Sequence, residues 1–460
     1  MAMLEIPSVE EVKEAMYMPR SRFKEQAESN LARSEVFERA LKSDVYRRLW
    51  EGKIFPHDTD GLLQMPILTP VFYGTNFEER DMRIPAGPVK AGNDGWLCST
   101  GSIRMKYYPF SDYDAKRLGV YGSRYDIIAG FSKDDVLINA GAEPPHCSLS
   151  MAQWIADAYG MDSVPVVRGM KPEEVMGPLM RKAEKIAGIT GVPLVTIRFL
   201  NTVAKEAGRP LGSVFPRLKK AALGAETLNG RQRSALEKLG IEGHEIYASA
   251  ELCVPGVECK RHEGPHLFGD DNVYCLKKDN GEIKYLWAWQ KGDIGELFVT
   301  TPNREAFPLV NFSTNDVIEV LDTECLCGIT HPRIRVISRT DNVLNVGGAK
   351  AYESHIEEKF EEVGKEYPIP DWQIHWSRDE NGGYHRFDVL IDLLDNGALD
   401  KVAVREALLR SLSNDSRTEQ LFQAHEAGIL GIEVCPLPHK EYEEKVVAAR
   451  HKRVRIVKKF

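Results

Sequence analysis

The stretch that decides the fold is residues 295–316, GELFVTTPNREAFPLVNFSTND, together with residues 325–358, CLCGITHPRIRVISRTDNVLNVGGAKAYESHIEE. Short runs of β-branched and aromatic residues between turn residues predict strands here. The first segment ends on Asp316, and the second carries Arg339 and Asp341 directly after a predicted strand. Each of these charges alone is more often a surface group than a catalyst. Their order and their contexts together are therefore the informative signal.

The chain around this stretch predicts an α/β fold. Residues 1–60 carry apolar residues at helical spacing, and from 111 to about 250 helices alternate with short apolar strands, which favours much parallel sheet. Residues 273–338 predict an antiparallel or barrel-like set of strands. We therefore expect a large multi-layer α/β domain over residues 1–338 with a β-rich subdomain, and a small α/β domain over residues 339–460.

Three local expectations are specific enough to be checked. Residues 111–130, SDYDAKRLGVYGSRYDIIAG, predict one helix with an Asp/Ser start. Residues 192–197, VPLVTI, fit either a buried strand or the entry to a helix. The last eleven residues, RHKRVRIVKKF, predict a solvated charged tail, with an anion-binding patch as the alternative.

Composition excludes several classes of protein. The 460 residues are 43% hydrophobic and 28% charged, which excludes disordered and fibrous chains. A net charge of -8 argues against a domain-wide nucleic-acid surface. The apolar runs are too short for a membrane span, and the acidic N-terminus does not resemble a secretory signal. Eight cysteines are too few for a disulfide scaffold, so we expect a cytoplasmic protein with reduced thiols and no nucleic-acid or membrane partner.

Two further segments complete a pattern of motifs: residues 224–251, GAETLNGRQRSALEKLGIEGHEIYASAE, and residues 440–453, KEYEEKVVAARHKR. With the two segments above, and in this order, they resemble the motifs of the adenylate-forming superfamily, and within it the phenylacetate–CoA ligase-like branch. The resemblance runs from about residue 95 to the end. It implies a large adenylation domain followed by a mobile lid domain with its hinge near Asp341.

The resemblance also implies an activity in two half-reactions. A carboxylate, with an aryl or arylacetic acid favoured by the family, attacks the α-phosphate of ATP and gives an acyl-adenylate and pyrophosphate. A thiol, usually coenzyme A, then accepts the acyl group. The implied partners are a small carboxylic acid, ATP with Mg²⁺ and coenzyme A, and the family-level expectation for the oligomer is a homodimer.

The resemblance assigns roles to individual residues. Lys445 and Glu251 match the catalytic positions, with Glu251 also the Mg²⁺ ligand, since that hard cation favours carboxylate oxygen. Residues that match the nucleotide site are Ser99, Thr100, Gly101, Ser102, Gly224, Ala225, Glu226, Tyr247, Asp316 and Arg339. His146 and Cys147 lie where relatives line the acyl pocket, and a packed or pocket-lining role is favoured over a nucleophilic pair.

Two departures from the family pattern leave alternatives open. The phosphate loop keeps one of its two glycines and lacks the Lys-Pro step, so Arg104 and Lys106 are expected to supply charge, with weakened ATP use as the alternative. Asn311 replaces an arginine, and residues 348–353, GAKAYE, replace the usual turn near the thiol tunnel. An amine acceptor is therefore the first rival function, and a non-catalytic nucleotide- or ligand-binding relative is the second.

The cysteines suggest a metal. Cys259, His266, Cys325 and Cys327 form a Cys₃His set whose soft and borderline donors suit structural zinc, and some relatives carry this pattern. The competing ligands are Cys253, His262 and Cys275. Four protein ligands leave no open position, so we expect no catalysis from this metal.

Overall fold

A computed structural model describes residues 5–53, 55–70, 72, 96–100, 105–142, 146–166, 172–225, 227–340, 342–346, 349–378, 384–394, 397–446 and 455–459. The chain divides into two compact units. The large unit comprises Met1–Thr314 and Glu319–Arg335, and the small unit comprises Asn315–Ile318 and Val336–Phe460. Among the described residues, no helix combines the length and the apolar character needed to cross a membrane.

Several helices of the large unit begin at a residue whose side chain caps the helix. Ser8 caps the first helix and Asn229 caps the last, each in a reciprocal box with the residue three positions on. The helices are α1 Val9–Ala15, α2 Phe23–Ser34, α3 Val36–Ala40, α4 Asp44–Trp50, α5 Thr59–Gln64, α6 Asp112–Gly122, α7 Arg124–Ala129, α8 Ser148–Tyr159, α9 Pro172–Arg181, α10 Pro193–Glu206, α11 Leu211–Val214 and α12 Gly230–Lys238, with 3₁₀ turns at Arg20–Arg22 and Leu286–Ala288.

One 12-stranded sheet organises the fold, beside a separate hairpin of β1 and β2. Its strand order is β11-β10-β12-β13-β14-β9-β8-β7-β6-β5-β3-β4. The strands are β1 Trp96–Thr100, β2 Met105–Pro109, β3 Val136–Ala140, β4 Asp162–Pro165, β5 Ile186–Gly191, β6 Lys220–Leu223, β7 Glu242–Ser249, β8 Cys253–Glu258, β9 Pro265–Leu267, β10 Val273–Lys277, β11 Ile283–Tyr285, β12 Ile294–Thr300, β13 Phe312–Asp322 and β14 Arg333–Arg339.

The sheet changes character at β7. Strands β4, β3, β5, β6 and β7 run parallel, whereas β8 and β9 continue the sheet antiparallel. Buried aliphatic side chains such as Ile138, Ile189 and Leu223 explain the parallel half, because parallel strands are covered on both faces. The predicted α/β fold class is confirmed, and of the two alternatives for residues 273–338 the antiparallel arrangement is found.

The small unit contains a four-stranded sheet in the order β19-β18-β17-β20 and a two-stranded hairpin of β15 and β16. Its elements are β15 Leu344–Val346, β16 Ala349–Ala351, α13 Glu353–Val363, β17 Trp372–Arg378, β18 His385–Leu393, α14 Lys401–Ser413, α15 Glu419–Glu426, β19 Leu430–Pro438, α16 His439–Val446 and β20 Ile456–Lys459. Buried residues including Trp372, Val389 and Leu408 form its own core.

Two sequence predictions are wrong in detail, and one open alternative is settled. The single helix predicted over 111–130 is two helices, α6 and α7, because Ser123 at the junction bonds back to the Val120 carbonyl through its hydroxyl at 2.6 Å. The predicted solvated tail contains β20, which pairs in parallel with β17 and buries Ile456. Residues 193–197 belong to α10, so VPLVTI is a helix entry.

Candidate functional site

The loop after β6 lies against β7. A Cβ on Gly224 would stand 2.6 Å from the Ile246 side chain and 3.0 Å from its carbonyl oxygen, so only glycine permits this approach. Ala225, the next residue, has a left-handed φ of 72°. Gly224 and Ala225, two residues predicted for the nucleotide site, therefore lie beside the strand that carries another of them, Tyr247. Glu226 lies outside the described residues.

Glu251 follows β7 directly and is buried. Arg304 donates a hydrogen bond from Nη1 to the Glu251 backbone carbonyl, and its guanidinium lies 4.0 Å from the centre of the Phe110 ring. This fixes the backbone that carries the predicted Mg²⁺ ligand. Sequence reasoning missed Arg304, although it lies inside the decisive segment TTPNREAFP and that position was the signal available.

Asp316 and Arg339 come together in the small unit. Arg339 Nη1 lies 2.6 Å from Asp316 Oδ1, and the Asp316 side chain is 9% exposed. A second tie joins their strands, because the Thr340 amide donates to the Asn315 carbonyl at 2.9 Å. The structure thus holds a carboxylate and a guanidinium, which lie 23 residues apart in the chain, in one fixed pair.

Lys445 has a different environment. It lies on α16, and its Nζ contacts Glu441 Oε1 at 2.7 Å across one helical turn. Its side chain is 49% exposed, so this pair contributes little to stability. The predicted hinge, Asp341, lies outside the described residues.

The described part of the predicted phosphate loop comprises the end of β1 and the start of β2. Ser99 pairs with Lys106 and Thr100 with Met105 in its antiparallel ladder. The remaining members, Gly101, Ser102 and Arg104, lie outside the described residues. The backbone therefore brings the two ends of the predicted loop together.

Cys259, His266, Cys325 and Cys327 converge on one point, with their four donor atoms within 4.8 Å of one another. Cys259 Sγ lies 3.9 Å from Cys325 Sγ, and Cys327 Sγ lies 3.4 Å from His266 Nε2. A tetrahedral zinc ion with Zn–S bonds of ~2.3 Å places neighbouring sulfurs ~3.8 Å apart. The donor set and its spacing therefore fit zinc.

The orientation of His266 fits the same ion. Its Nδ1 lies 2.6 Å from the His331 carbonyl, so Nδ1–H donates there and the Nε2 lone pair faces the thiols. Burial lowers the pKa of His266 to about 4, which keeps the ring neutral. The competing ligands Cys253 and Cys275 are not in this cluster, and His262 lies in a different group of donors.

His146 and Cys147 precede α8, and Cys147 is its N-cap residue. The Cys147 carbonyl accepts from the Met151 amide at 2.9 Å, as a helix start requires. Burial, and secondarily the neighbouring Cys147, raise the pKa of Cys253 to about 12. Cys147, at the start of α8, therefore lies near the thiol of Cys253. A pocket-lining role for His146 and Cys147 stays a prediction.

Asn311, which replaces the arginine of the family pattern, ties two segments together. Its side-chain Nδ2 donates to the Met65 carbonyl at 2.9 Å, and the Leu68 amide donates to the Asn311 carbonyl at 3.1 Å. The residue has a left-handed φ of 47°, which asparagine tolerates well. Asn311 also lines a cavity of about 390 Å³ with apolar neighbours from α5 and β10. The residue therefore has a structural role here.

Comparison with known proteins gives sequence relatives. The chain is 28% identical over 276 residues to phenylacetate-coenzyme A ligase of Thermus thermophilus, covering 58% of this chain and 56% of the ligase. It is 27% identical over 257 residues to the ligase of the same name from Pseudomonas putida, covering 53% and 52%. The chain thus spans about half the length of the curated relatives it matches. No model of a known protein family matches it.

Solved structures share the fold over nearly the whole chain. A 2-hydroxyisobutyryl-CoA ligase in the postadenylation state superposes with a TM-score of 0.70 at 16% identity, covering 97% of this chain and 92% of the other. An acyl acid amido synthetase superposes with a TM-score of 0.69 at 13% identity, covering 99% and 95%. The sequence matches make the chain a relative of the phenylacetate-coenzyme A ligases, and the solved structures show the fold that it shares with other acid-activating ligases.

Proposed function

We propose that the chain activates a carboxylic acid with ATP and then transfers the acyl group to coenzyme A. A carboxylate oxygen forms a bond to the α-phosphorus, the bond to the bridging oxygen breaks, and pyrophosphate leaves. The thiol sulfur then attacks the acyl carbonyl, and AMP leaves. Aryl or arylacetic acids are the proposed substrate class, because the curated relatives are phenylacetate-coenzyme A ligases.

The observation that carries the proposal is the Asp316–Arg339 pair. The two residues stand at the positions where the resemblance requires a ribose-binding carboxylate and its neighbour, and they meet at 2.6 Å. A carboxylate held by a guanidinium is fixed in position, which is what accepting from two ribose hydroxyls requires. The contact between two motif residues that lie 23 positions apart in the chain supports the motif match.

Lys445 and Glu251 would act by balancing the negative charge of the phosphates and the substrate carboxylate. Lys445 would hold the substrate carboxylate and the α-phosphate together through its ammonium group, since both partners are anions. Glu251 would hold Mg²⁺, which neutralises phosphate charge when it is bound. Gly224, Ala225 and Tyr247 would border the adenine ring, and the missing side chain of Gly224 lets this loop lie against Ile246 of β7.

Two rival functions follow from specific observations. An amine acceptor is favoured by the altered residues 348–353 and by the shared fold of the acyl acid amido synthetase. A non-catalytic binding protein is favoured by the altered loop at 98–106. The presence of Glu251, Asp316, Arg339 and Lys445 together argues against the second rival.

Pyrophosphate release over a panel of aryl, arylacetic and short aliphatic acids, with and without coenzyme A, tests the proposal. We expect acid-dependent pyrophosphate release, and AMP release that requires coenzyme A. AMP release that requires an amine would favour the amide ligase. The absence of pyrophosphate release with every acid, together with ATP binding in a calorimeter, would favour the binding protein.

We also propose that the cysteine–histidine cluster holds a structural zinc ion. Its four donors satisfy the usual coordination number, so the ion would link the turn after β8 to the segment between β13 and β14. Burial raises the pKa of the Cys327 thiol to about 12, a penalty that an adjacent divalent cation would offset. A reducing compartment such as the cytoplasm would keep the thiols available.

A further inference from the structure

A second group of metal-type donors lies in the large unit, separate from the cysteines. Glu242 and His244 are two apart on β7, so their side chains leave the same face of the strand. His262 reaches them from the turn between β8 and β9, where it has a left-handed φ of 53°. The three donor atoms lie within 4.8 Å of one another.

His244 supplies the observation that points to a ligand. The residue is fully buried, and its Nδ1 lies 3.2 Å from the Glu258 carbonyl, so Nδ1–H donates there. This hydrogen bond leaves a lone pair on Nε2. Among the described residues, Nε2 has no hydrogen-bond partner, and it faces Glu242 Oε1 at 3.5 Å. Two lone pairs at this distance repel unless a proton or a cation lies between them.

His262 completes the arrangement. Its Nε2 lies 3.0 Å from Glu242 Oε1, and its Nδ1 lies 3.5 Å from Glu258 Oε2. Glu258 is itself fixed, since Arg233 bonds it at 2.9 Å and the Gly264 amide at 3.1 Å. Both histidines therefore have a backbone carbonyl or a carboxylate behind the ring nitrogen that faces away from the cluster, the usual support of metal-bound imidazoles.

A hydrogen-bonded explanation accounts for only part of this cluster. A protonated His262 between Glu242 and Glu258 satisfies His262, but it leaves the buried Nε2 of His244 without a partner. A cation at the centre satisfies all three donors at once. With metal–ligand bonds of ~2.1 Å, tetrahedral N and O donors lie ~3.4 Å apart, close to the 3.5 Å between His244 and Glu242.

We propose that Glu242, His244 and His262 bind a divalent transition metal of the zinc type. Two imidazoles and one carboxylate suit Zn²⁺ or Co²⁺. The Glu242 and His262 side chains are 38% and 31% exposed, so water completes the coordination from the solvent side. Lys220 Nζ lies 3.6 Å from the second oxygen of Glu242 and weakens the attraction, so this site is more open and weaker than the cysteine cluster.

The metal would connect two elements that matter for the proposed function. It would tie β7, which carries Tyr247 and is followed closely by Glu251, to the turn that begins at Cys259. The two sites share no ligand, and their donor sets differ in kind. Their occupancies can therefore be measured separately, and neither measurement depends on acid activation.

The test uses Co²⁺ on metal-stripped, reduced full-length chain. Equilibrium dialysis counts the bound ions, and intense thiolate-to-cobalt absorption reports the cysteine cluster alone. The variant is His262→Asn, because asparagine accepts the left-handed backbone of this position. The control is His57→Asn, which removes a histidine that also pairs with a glutamate, Glu38, at 2.8 Å but belongs to neither group of metal-type donors found among the described residues.

We expect about two Co²⁺ ions per chain for the wild type and for His57→Asn, and about one for His262→Asn with its thiolate bands intact. A wild type that binds one ion, with full thiolate bands, would overturn the second site. Equal occupancy in wild type and His262→Asn would overturn it as well. One ion bound without thiolate bands, and lost in His262→Asn, would support this site and reject the cysteine site.

Discussion

Two regions of the small unit hold charged groups that are proposed to serve one reaction, and they differ in almost every local property. At the β13–β14 strands, Asp316 is 6% exposed and its partner Arg339 lies on a neighbouring strand. On α16, Lys445 is exposed and meets only a glutamate of its own helix among the contacts described. One group is held by the sheet, whereas the other is held by a single surface pair.

The difference between a fixed and an exposed charged group fits two different roles, ligand binding and stabilisation of the transition state. A side chain that positions a ligand binds it more tightly if it is already fixed, because its conformational entropy has then been lost during folding and not on binding. A group that stabilises charge only in the transition state need not have a low-energy partner in the resting fold. Local structure therefore supports a role for Asp316, whereas the role of Lys445 rests on the sequence resemblance and needs a kinetic test.

The largest expected effect comes from Lys445→Ala. Removing an ammonium that acts in the transition state should lower kcat for pyrophosphate release by ~10³-fold, about 4 kcal/mol. The melting temperature should hardly change, because the Glu441 pair is exposed. Steady-state pyrophosphate assays and thermal melts measure the two quantities.

Lys440→Ala is the matched control, since Lys440 is an exposed lysine on the same helix. It should leave kcat unchanged. Equal losses in both variants would mean that the basic surface of α16 matters as a whole and that Lys445 has no special role.

The second effect tests whether the cysteine cluster stabilises the fold by binding a metal. Cys325→Ser should lower the free energy of unfolding by about 3 kcal/mol, because a metal site that loses a ligand loses binding energy that stabilises the fold. Denaturant titration of zinc-loaded protein measures it. Cys435→Ser, a half-buried thiol outside the cluster, is the control. A chelator that leaves wild-type stability unchanged would contradict the structural zinc.

The third effect addresses Asp316 directly. Asp316→Asn keeps the shape but removes the charge, so the Kd for ATP should rise by ~10–30-fold, about 2 kcal/mol. Calorimetric titration of Mg-ATP measures it. Asp322→Asn is the control, because Asp322 lies on the same strand and also pairs with an arginine, Arg333, at 3.2 Å. Comparable losses of affinity in both variants would show that ion pairs on β13 act through strand stability.

Sequence patterns point to the residues of the proposed site more directly than to their surroundings. The segments with Gly224, Glu251 and Asp316 were identifiable because glycine and carboxylates at fixed order carry a chemical requirement. The second metal cluster was not identifiable in the same way. Glu242 and His244 share a strand face, but His262 joins them only through the turn between β8 and β9, a three-dimensional contact that no spacing rule encodes.

Local propensity also failed where tertiary contacts decide the outcome. The flanking lysines and arginines of Ile456 favour a solvated tail, yet β17 offers an unpaired edge and Ile456 buries its side chain there. Arg455, the preceding residue, meets Asp371 at 2.5 Å. The charge run that suggested exposure is thus partly neutralised inside the small unit, which no local pattern reveals.

The smallest effect concerns a buried carboxylate that, among the described residues, lacks an arginine partner such as Asp316 has. Asp126 on α7 is fully buried, and among the described residues neither of its carboxylate oxygens has a hydrogen-bond partner. Burial raises its pKa well above the ordinary value. Because the folded pKa is the higher one, its favourable contribution is complete at low pH and is lost as the pH rises through the raised pKa.

Asp126→Asn removes this titration while keeping the shape. At pH 8 the variant should be more stable than the wild type by about 1 kcal/mol. The difference should shrink toward pH 4, where the folded wild-type carboxyl is protonated and about half of the unfolded carboxyl is protonated as well. Urea titrations at several pH values measure it. Asp134→Asn, at an exposed position of the large unit, should show no such trend. The opposite result would be a stability difference between wild type and Asp126→Asn that stays constant from pH 4 to pH 8. The buried carboxyl would then titrate alike in the folded and unfolded chains, and burial without an arginine partner would not by itself set its charge.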